Sequence, residues 1–299
     1  MKNRSVLNSP RFLSLKKKKR QILRKKIFFL IFLFFLIFIG SSFLAKWEKL
    51  NINNIQITGN KVIETKMIEE AVKEKIAGNY LWVFPKTNFI IYPQHAIEID
   101  LKNKFKRIRD VFINDKNIKN LEVFVVERTA LYTYCGIAPP QLDNSENKLP
   151  DEEKCYFLDE DGYIFDEAPY FSGEVYLKFY GLINKTMAKN GDKPSGFYFY
   201  QANFRKLISL KETLEKIGIK PVIFYIQDNG DVKMFLSPLL KSQMGPEIIF
   251  KLNSDLEQIA ENLQSVLTTE PLQSEFKSKY SSLLYIDLRF GNKIYYKFK

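Results

Sequence analysis

Nineteen consecutive residues without a charge, IFFLIFLFFLIFIGSSFLA at Ile27–Ala45, limit what this chain can become more than any other feature. As a helix, such a run is roughly 28 Å long at 1.5 Å per residue, close to the ~30 Å hydrocarbon thickness of a bilayer. It is apolar on every side, so it lacks the polar stripe of a helix that packs on a soluble core. Trp47 follows directly, at the level where interfacial aromatics collect. A cleaved signal peptide is the alternative, with Ile27–Ile39 as its apolar region and Gly40 and Ser42 as small residues before a cleavage point. The long basic region in front and the full-length span favour an uncleaved anchor.

Charge orients that anchor. Residues 1–26 carry eleven Lys and Arg and no acid, whereas the whole 299-residue chain has 46 basic and 34 acidic side chains. Removing those eleven leaves 35 against 34, so the rest is nearly neutral and does not resemble a nucleic-acid-binding domain. Lys and Arg are held on the cytoplasmic side, which predicts a cytoplasmic tail at 1–26, a span at 27–45 and an extracytoplasmic remainder. The apolar fraction of 45% and aromatic fraction of 15% exclude a disordered chain. One histidine, His95, and two cysteines do not make a usual Cys/His zinc cage and leave little room for a His-based triad. No cofactor, metal or small-molecule substrate is expected.

Beyond the span, Ile52, Ile55 and Ile57 lie in an extended stretch that ends at Gly59-Asn60. Met67, Ile68, Ala71, Val72 and Ile76 follow helical spacing up to Gly78, and Pro93 opens a second helix with Ile97, Leu101 and Phe105 four residues apart. Strands are predicted at Ile108–Ile113 and Leu121–Glu127, joined by DKNIKN. Further strands are expected at 129–136 and 155–165, at Val222–Gln227 and Asp231–Leu236 around Asp228-Asn229-Gly230, and at Glu247–Leu252. Helices are expected from about Ala202 to Ile217 and up to about Leu267, the latter capped by Ser254 with Glu257. A hairpin of Leu283–Phe290 and Lys293–Phe298 closes the chain around Gly291-Asn292. The fold class is α+β: a β-α-α-β-β module, then a mostly antiparallel, β-rich domain with two helices.

That order after one span resembles a POTRA domain, and finer details resemble the FtsQ/DivIB family of bacterial division proteins. They are NIQITGN before a helix, LEVFVVERTALYTY with Glu127-Arg128, YFLDEDGYIF with Asp159 and Gly162, and YIDLRFGNKIYYKF at the end. The resemblance implies a POTRA domain at 46–128, a C-terminal β domain at 129–299, and a single-pass type II protein of the inner membrane at the division septum. It implies a non-catalytic scaffold whose closing hairpin binds an FtsB-like protein paired with an FtsL-like one. Other divisome proteins would be met through the POTRA domain; the basic cluster Lys102, Lys104, Lys106, Arg107 and Arg109 lies in that region and is either a solvated face or part of such a contact, with no single residue assigned to it. The family's Arg-Tyr pair falls on Arg289-Phe290, without the hydroxyl, and its terminal aromatic on Phe298.

In the last strand, Ile294, Tyr296 and Phe298 alternate with Lys293, Tyr295, Lys297 and Lys299. This is either an ordinary closing strand or an edge that accepts a partner strand, with Arg289, Phe290, Ile294, Tyr296 and Phe298 as contacts. On the second reading, Ile294→Glu or Phe298→Ala weakens partner binding and leaves the fold intact. Cys135 and Cys155 are two buried thiols or a disulfide, which an exported domain permits. The acidic turn Asp159-Glu160-Asp161 lacks calcium-loop spacing and is expected to be structural, and His95 to be a surface or capping residue. Two other classes stay open: a POTRA-type polypeptide-binding module of secretion, and a membrane-tethered cell-wall hydrolase.

Overall fold

The computed structural model describes residues 10–140, 154–183, 193–237, 245–270, 272–291 and 293–299. Residues 1–9 of the basic tail, most of the loop between the cysteines and Asn292 of the last turn therefore lie outside the described residues. The first helix, α1 (Pro10–Ala45), takes in the whole apolar run and extends through the basic residues before it. From Lys17 to Ala45 it is long and apolar enough to cross a membrane, and none of its apolar window is buried in protein.

The chain divides into two compact units, residues 1–104 with 110–126, and residues 105–109 with 127–299. In the first, β1 (Asn54–Thr58), α2 (Thr65–Ile76), two short strands β2 (Asn79–Tyr80) and β3 (Phe84–Pro85), α3 (Gln94–Lys104), β4 (Ile108–Asn117) and β5 (Asn120–Glu127) follow in order. The main sheet runs β1-β5-β4, with β1 parallel to β5. Helical periodicity places Ile68, Ala71, Val72 and Ile76 of α2 inward with Ile97 and Leu101 of α3, against alternating Leu121, Val123 and Val125 of β5. Each Ile or Leu buried there contributes about 1.5–3 kcal/mol. Gly59 closes β1 at φ +87°, and a Cβ on it would lie 2.2 Å from the Val125 carbonyl oxygen, so only glycine fits where the chain leaves the sheet. The connection expected over Asp115–Asn120 narrows to Ile118-Lys119, because the β4–β5 ladder continues to a two-residue turn.

The second unit is built on one nine-stranded sheet, in the order β14-β13-β12-β11-β10-β9-β6-β7-β8. Its strands are β6 (Tyr132–Tyr134), β7 (Cys155–Leu158), β8 (Ile164–Ala168), β9 (Lys178–Gly181), β10 (Pro221–Ile226), β11 (Asp231–Leu236), β12 (Glu247–Lys251), β13 (Leu283–Phe290) and β14 (Lys293–Phe298). Antiparallel pairings predominate, but β6–β9, β9–β10 and β12–β13 are parallel. The helices α4 (Gln201–Lys216), α5 (Leu256–Leu267) and α6 (Leu272–Ser278) supply its α layer, so the two expected helices become three, the last a short one of seven residues. Phe204, Leu207, Leu210 and Leu214 of α4 and Leu256, Ile259, Ala260 and Leu263 of α5 pack with Phe179, Phe224, Phe250 and Ile286 of the sheet in one core. The predicted cap of α5 is corrected by one residue. Asp255, not Ser254, is the N-cap, its Oδ1 accepting from the Glu257 and Gln258 amides at 3.0 and 3.3 Å. Strand β9 is not signalled by the sequence, because SGEVYLKFYG offers no alternation cleaner than its surroundings.

Candidate functional site

A sheet of nine strands has two edges, and they end differently. At the β8 edge, residues 196–198 lie alongside. The Ile164 amide donates to the Phe197 carbonyl at 2.9 Å, the Gly196 amide donates to the Ile164 carbonyl at 2.7 Å, and Tyr163 bridges Tyr198. At the other edge, β14 pairs with β13 alone among the described strands. An unpaired edge presents a row of backbone donors and acceptors, which is the template a partner strand needs.

The side chains of β14 alternate as the sequence predicts, with Ile294, Tyr296 and Phe298 partly buried and Lys293, Tyr295, Lys297 and Lys299 exposed. The first three rest against the core of their own unit, and the Tyr296 and Phe298 rings meet edge-on at 5.9 Å. The expectation that Ile294→Glu spares the fold is therefore weakened: it would replace a partly buried side chain packed on the core with a charge, so any loss of partner binding in that variant would be mixed with a loss of stability. Two other aromatics face outward. Phe290 is 56% exposed and Tyr295 50%, with their rings edge-on at 5.3 Å. Nothing in the sequence singles out Tyr295, because it falls among the lysines of the solvent face.

Arg289 is held within its own fold. Its Nε and Nη2 donate to Asp287 at 2.9 and 2.6 Å, and its Nη1 donates to Asp231 of β11 at 2.6 Å. Lys251 of β12 lies between, 3.5 Å from Asp231, so the row links three strands. Burial pushes the Asp231 and Asp287 carboxyls up. The hydrogen bonds and charge of Arg289, with Lys251 at Asp231, outweigh it and leave both below the ordinary carboxylate range. The hydrogen bonds it donates to Asp287 and then to Asp231 raise the Arg289 guanidinium in turn. Arg289 thus anchors the last hairpin, and Phe290 beside it stays exposed, its ring centroid 5.7 Å from the Arg289 guanidinium.

The family-like motifs in mid-chain come together. Arg128 pairs with Asp159, both nearly buried, and its guanidinium lies 3.8 Å from the Tyr163 ring centroid. Asp159 Oδ1 also accepts from the Asp161 and Tyr163 amides at 2.9 Å each, which closes the turn. Gly162 follows at φ +78°, where a Cβ would sit 2.7 Å from the Phe204 ring. The other two acids of the turn are paired as well, Glu160 with Arg109 and Asp161 with Arg205. Each acid of the turn therefore faces an arginine. Among the described residues no group of three or more His, Cys, Asp or Glu could hold a metal.

Cys135 and Cys155 form a disulfide with their Cα atoms 4.1 Å apart, one step beyond the Tyr134–Tyr156 pair of β6 and β7. His95 is exposed near the start of α3, 3.8 Å from Glu98. The basic cluster is largely neutralised: Lys102 pairs with Asp110, Lys104 with Glu74, and Arg107 with Asp166 at 2.6 Å. Lys106 runs past Gly196.

Compared with known proteins, the chain matches no family model and no characterised protein.

Proposed function

We propose that this chain is a non-catalytic, FtsQ/DivIB-like scaffold of the division septum, anchored in the inner membrane by α1. Its N-terminus lies in the cytoplasm, a POTRA domain at 46–128 and a β domain at 129–299 lie outside, and β14 takes up a strand of an FtsB-like protein paired with an FtsL-like one. The observation that carries this reading is the asymmetry of the nine-stranded sheet: the β8 edge is met at its start by residues 196–198 of its own chain, and β14 has no neighbour beyond β13 among the described strands. Phe290 and Tyr295 add an aromatic contact beside that edge, and Lys293, Lys297 and Lys299 discourage a second copy of the same strand by like-charge repulsion. An incoming strand with acidic residues between apolar ones suits this edge.

The test uses the full-length chain in lipid nanodiscs, titrated with an FtsB-like and FtsL-like pair. Replacing Phe290 and Tyr295 together by Ala removes two exposed aromatics and leaves the core face of β14 untouched. The expected loss is about tenfold or more in affinity, since each anchoring aromatic contributes more than about 1 kcal/mol. Unchanged affinity refutes binding at this edge. A fluorescent fusion that fails to gather at midcell during constriction refutes the septal role itself.

A further inference from the structure

The connection between α2 and α3 holds the largest exposed apolar side chains outside α1. Leu81 is 76% exposed, Trp82 92% and Ile90 72%, with Tyr80 and Ile91 beside them. Single exposed apolar residues need no explanation, but two runs of them on one short connection, Tyr80–Trp82 and Ile90-Ile91, do. The backbone makes the case stronger. Strands β2 and β3 pair Tyr80 with Phe84, and the Val83 amide donates to the Tyr80 carbonyl at 3.1 Å, so Leu81 and Trp82 are the central residues of a tight turn. Both have positive φ, 47° and 62°. A tight turn whose two central residues both have positive φ favours Asn-Gly there, and leucine and tryptophan are strained at such angles. Strain of this kind persists where the position serves something besides folding.

The turn is also bolted to the end of α1. The Phe84 ring meets the Phe38 ring edge-on at 5.3 Å. Asn88, a buried side chain, donates from Nδ2 to the Ala45 carbonyl at 3.0 Å, and Asn51 donates to the same oxygen at 3.3 Å. One of the orphan carbonyls at the helix C-terminus is thereby satisfied by the loop that carries the turn. Thr87 Oγ1 donates to Asn51 Oδ1 at 2.8 Å, and the Phe89 amide to the Leu50 carbonyl at 2.9 Å. Phe38 lies seven residues before Ala45, so the contact with Phe84 is roughly 10 Å below the helix end. With α1 across a bilayer, that depth belongs to the outer acyl region.

We infer that Tyr80–Ile91 is a second membrane-contacting element, a hairpin whose Leu81-Trp82 tip enters the outer leaflet beside α1. The occupant of this apolar surface is lipid, because the surface is fastened to an apolar helix end and carries the exposed tryptophan that suits an interface. Lys86, with its Nζ 5.6 Å from the Tyr80 ring centroid, and Lys49, at the same distance from that of Trp47, are placed for anionic headgroups. Two points of attachment would restrict tilting of the first unit on the membrane, which one helix followed by a free linker would allow.

The inference rests on reading α1 as a membrane span, and the two tryptophans of the chain, Trp47 and Trp82, separate the two ideas. The full chain is reconstituted into phosphatidylethanolamine–phosphatidylglycerol vesicles containing lipid brominated on its acyl chains. Trp47→Phe leaves Trp82 as the sole reporter, and Trp82→Phe leaves Trp47. A blue-shifted emission from Trp82 with strong loss of intensity on brominated lipid is the expected result. Quenching of Trp47 with none of Trp82 overturns the hairpin contact and leaves the anchor standing, whether Trp82 then responds to an aqueous quencher or is shielded by protein. Failure of the chain to float with vesicles overturns the span, and the inference with it.

Discussion

The Arg128–Asp159 pair is the most informative single interaction to break. Asp159 is buried and already accepts two backbone hydrogen bonds on Oδ1, at 2.9 Å each, so Arg128 answers chiefly for its second oxygen and its charge. Arg128→Met keeps much of the volume under the Tyr163 ring but removes the only cation paired with Asp159 among the described side chains. Stripping one partner from a buried pair costs about 3–5 kcal/mol, and the surviving amide bonds place this case near the lower figure, about 3 kcal/mol. Asp159→Asn keeps an oxygen for the two amides but leaves the nearly buried Arg128 guanidinium without its counter-charge, so it should cost a similar amount. Combining Arg128→Met with Asp159→Asn should cost less than the sum of the two, because the arginine no longer leaves a charge behind. Urea unfolding of the full chain in detergent, followed by circular dichroism in the strand region, reads all three variants. A shift for Arg128→Met within the ±0.5 kcal/mol typical of surface substitutions, or strict additivity in the double variant, would refute the reasoning.

Two further outcomes follow from the same unit. Asp231 and Asp287 are held below the ordinary carboxylate range, so their contribution to stability is complete above the unfolded value of about 3.9 and is lost as pH falls through the lower folded values. Urea midpoints measured downward from pH 5 should show that loss, and Asp231→Asn with Asp287→Asn should flatten it; an unaltered acid slope counts against the Arg289 network. The Cys135–Cys155 bridge closes a separation of 20 residues, so Cys135→Ser with Cys155→Ser should remove about 3 kcal/mol. Thiol titration of the unfolded, unreduced wild-type chain should find none free, and two titratable thiols would end the proposal.

Periodicity and punctuation made most of the local structure legible. The spacing of Ile68, Ala71, Val72 and Ile76 marked a helix face, and Asp228-Asn229-Gly230 marked the turn between β10 and β11, because both signals act within a few residues. Local signals stop at the cap of α5, where Ser254 and Asp255 are chemically alike and only backbone geometry chooses between them. They stop again at β9, whose place between β6 and β10 depends on parallel partners far away in the chain. The same distinction holds for the candidate site. Alternation in Lys293–Phe298 set which residues share a face, but not which face meets the core. Packing decided that Ile294, Tyr296 and Phe298 turn inward and that Phe290 and Tyr295 stay outside.

What the amino-acid sequence by itself determined is the apolar helix at the N-terminus, the concentration of positive charge before it, and the two-period and four-period runs that became strands and helices. These depend on composition and near-neighbour spacing, which need no knowledge of the fold. Only the tertiary structure decided that Arg289 is an internal clamp, that the acids at 159–161 each face an arginine, and that Leu81 and Trp82 sit on a strained turn fastened to the end of α1. Each of these joins residues tens of positions apart or fixes a backbone angle against its local preference. The free energy that selects them comes from contacts the finished fold brings together.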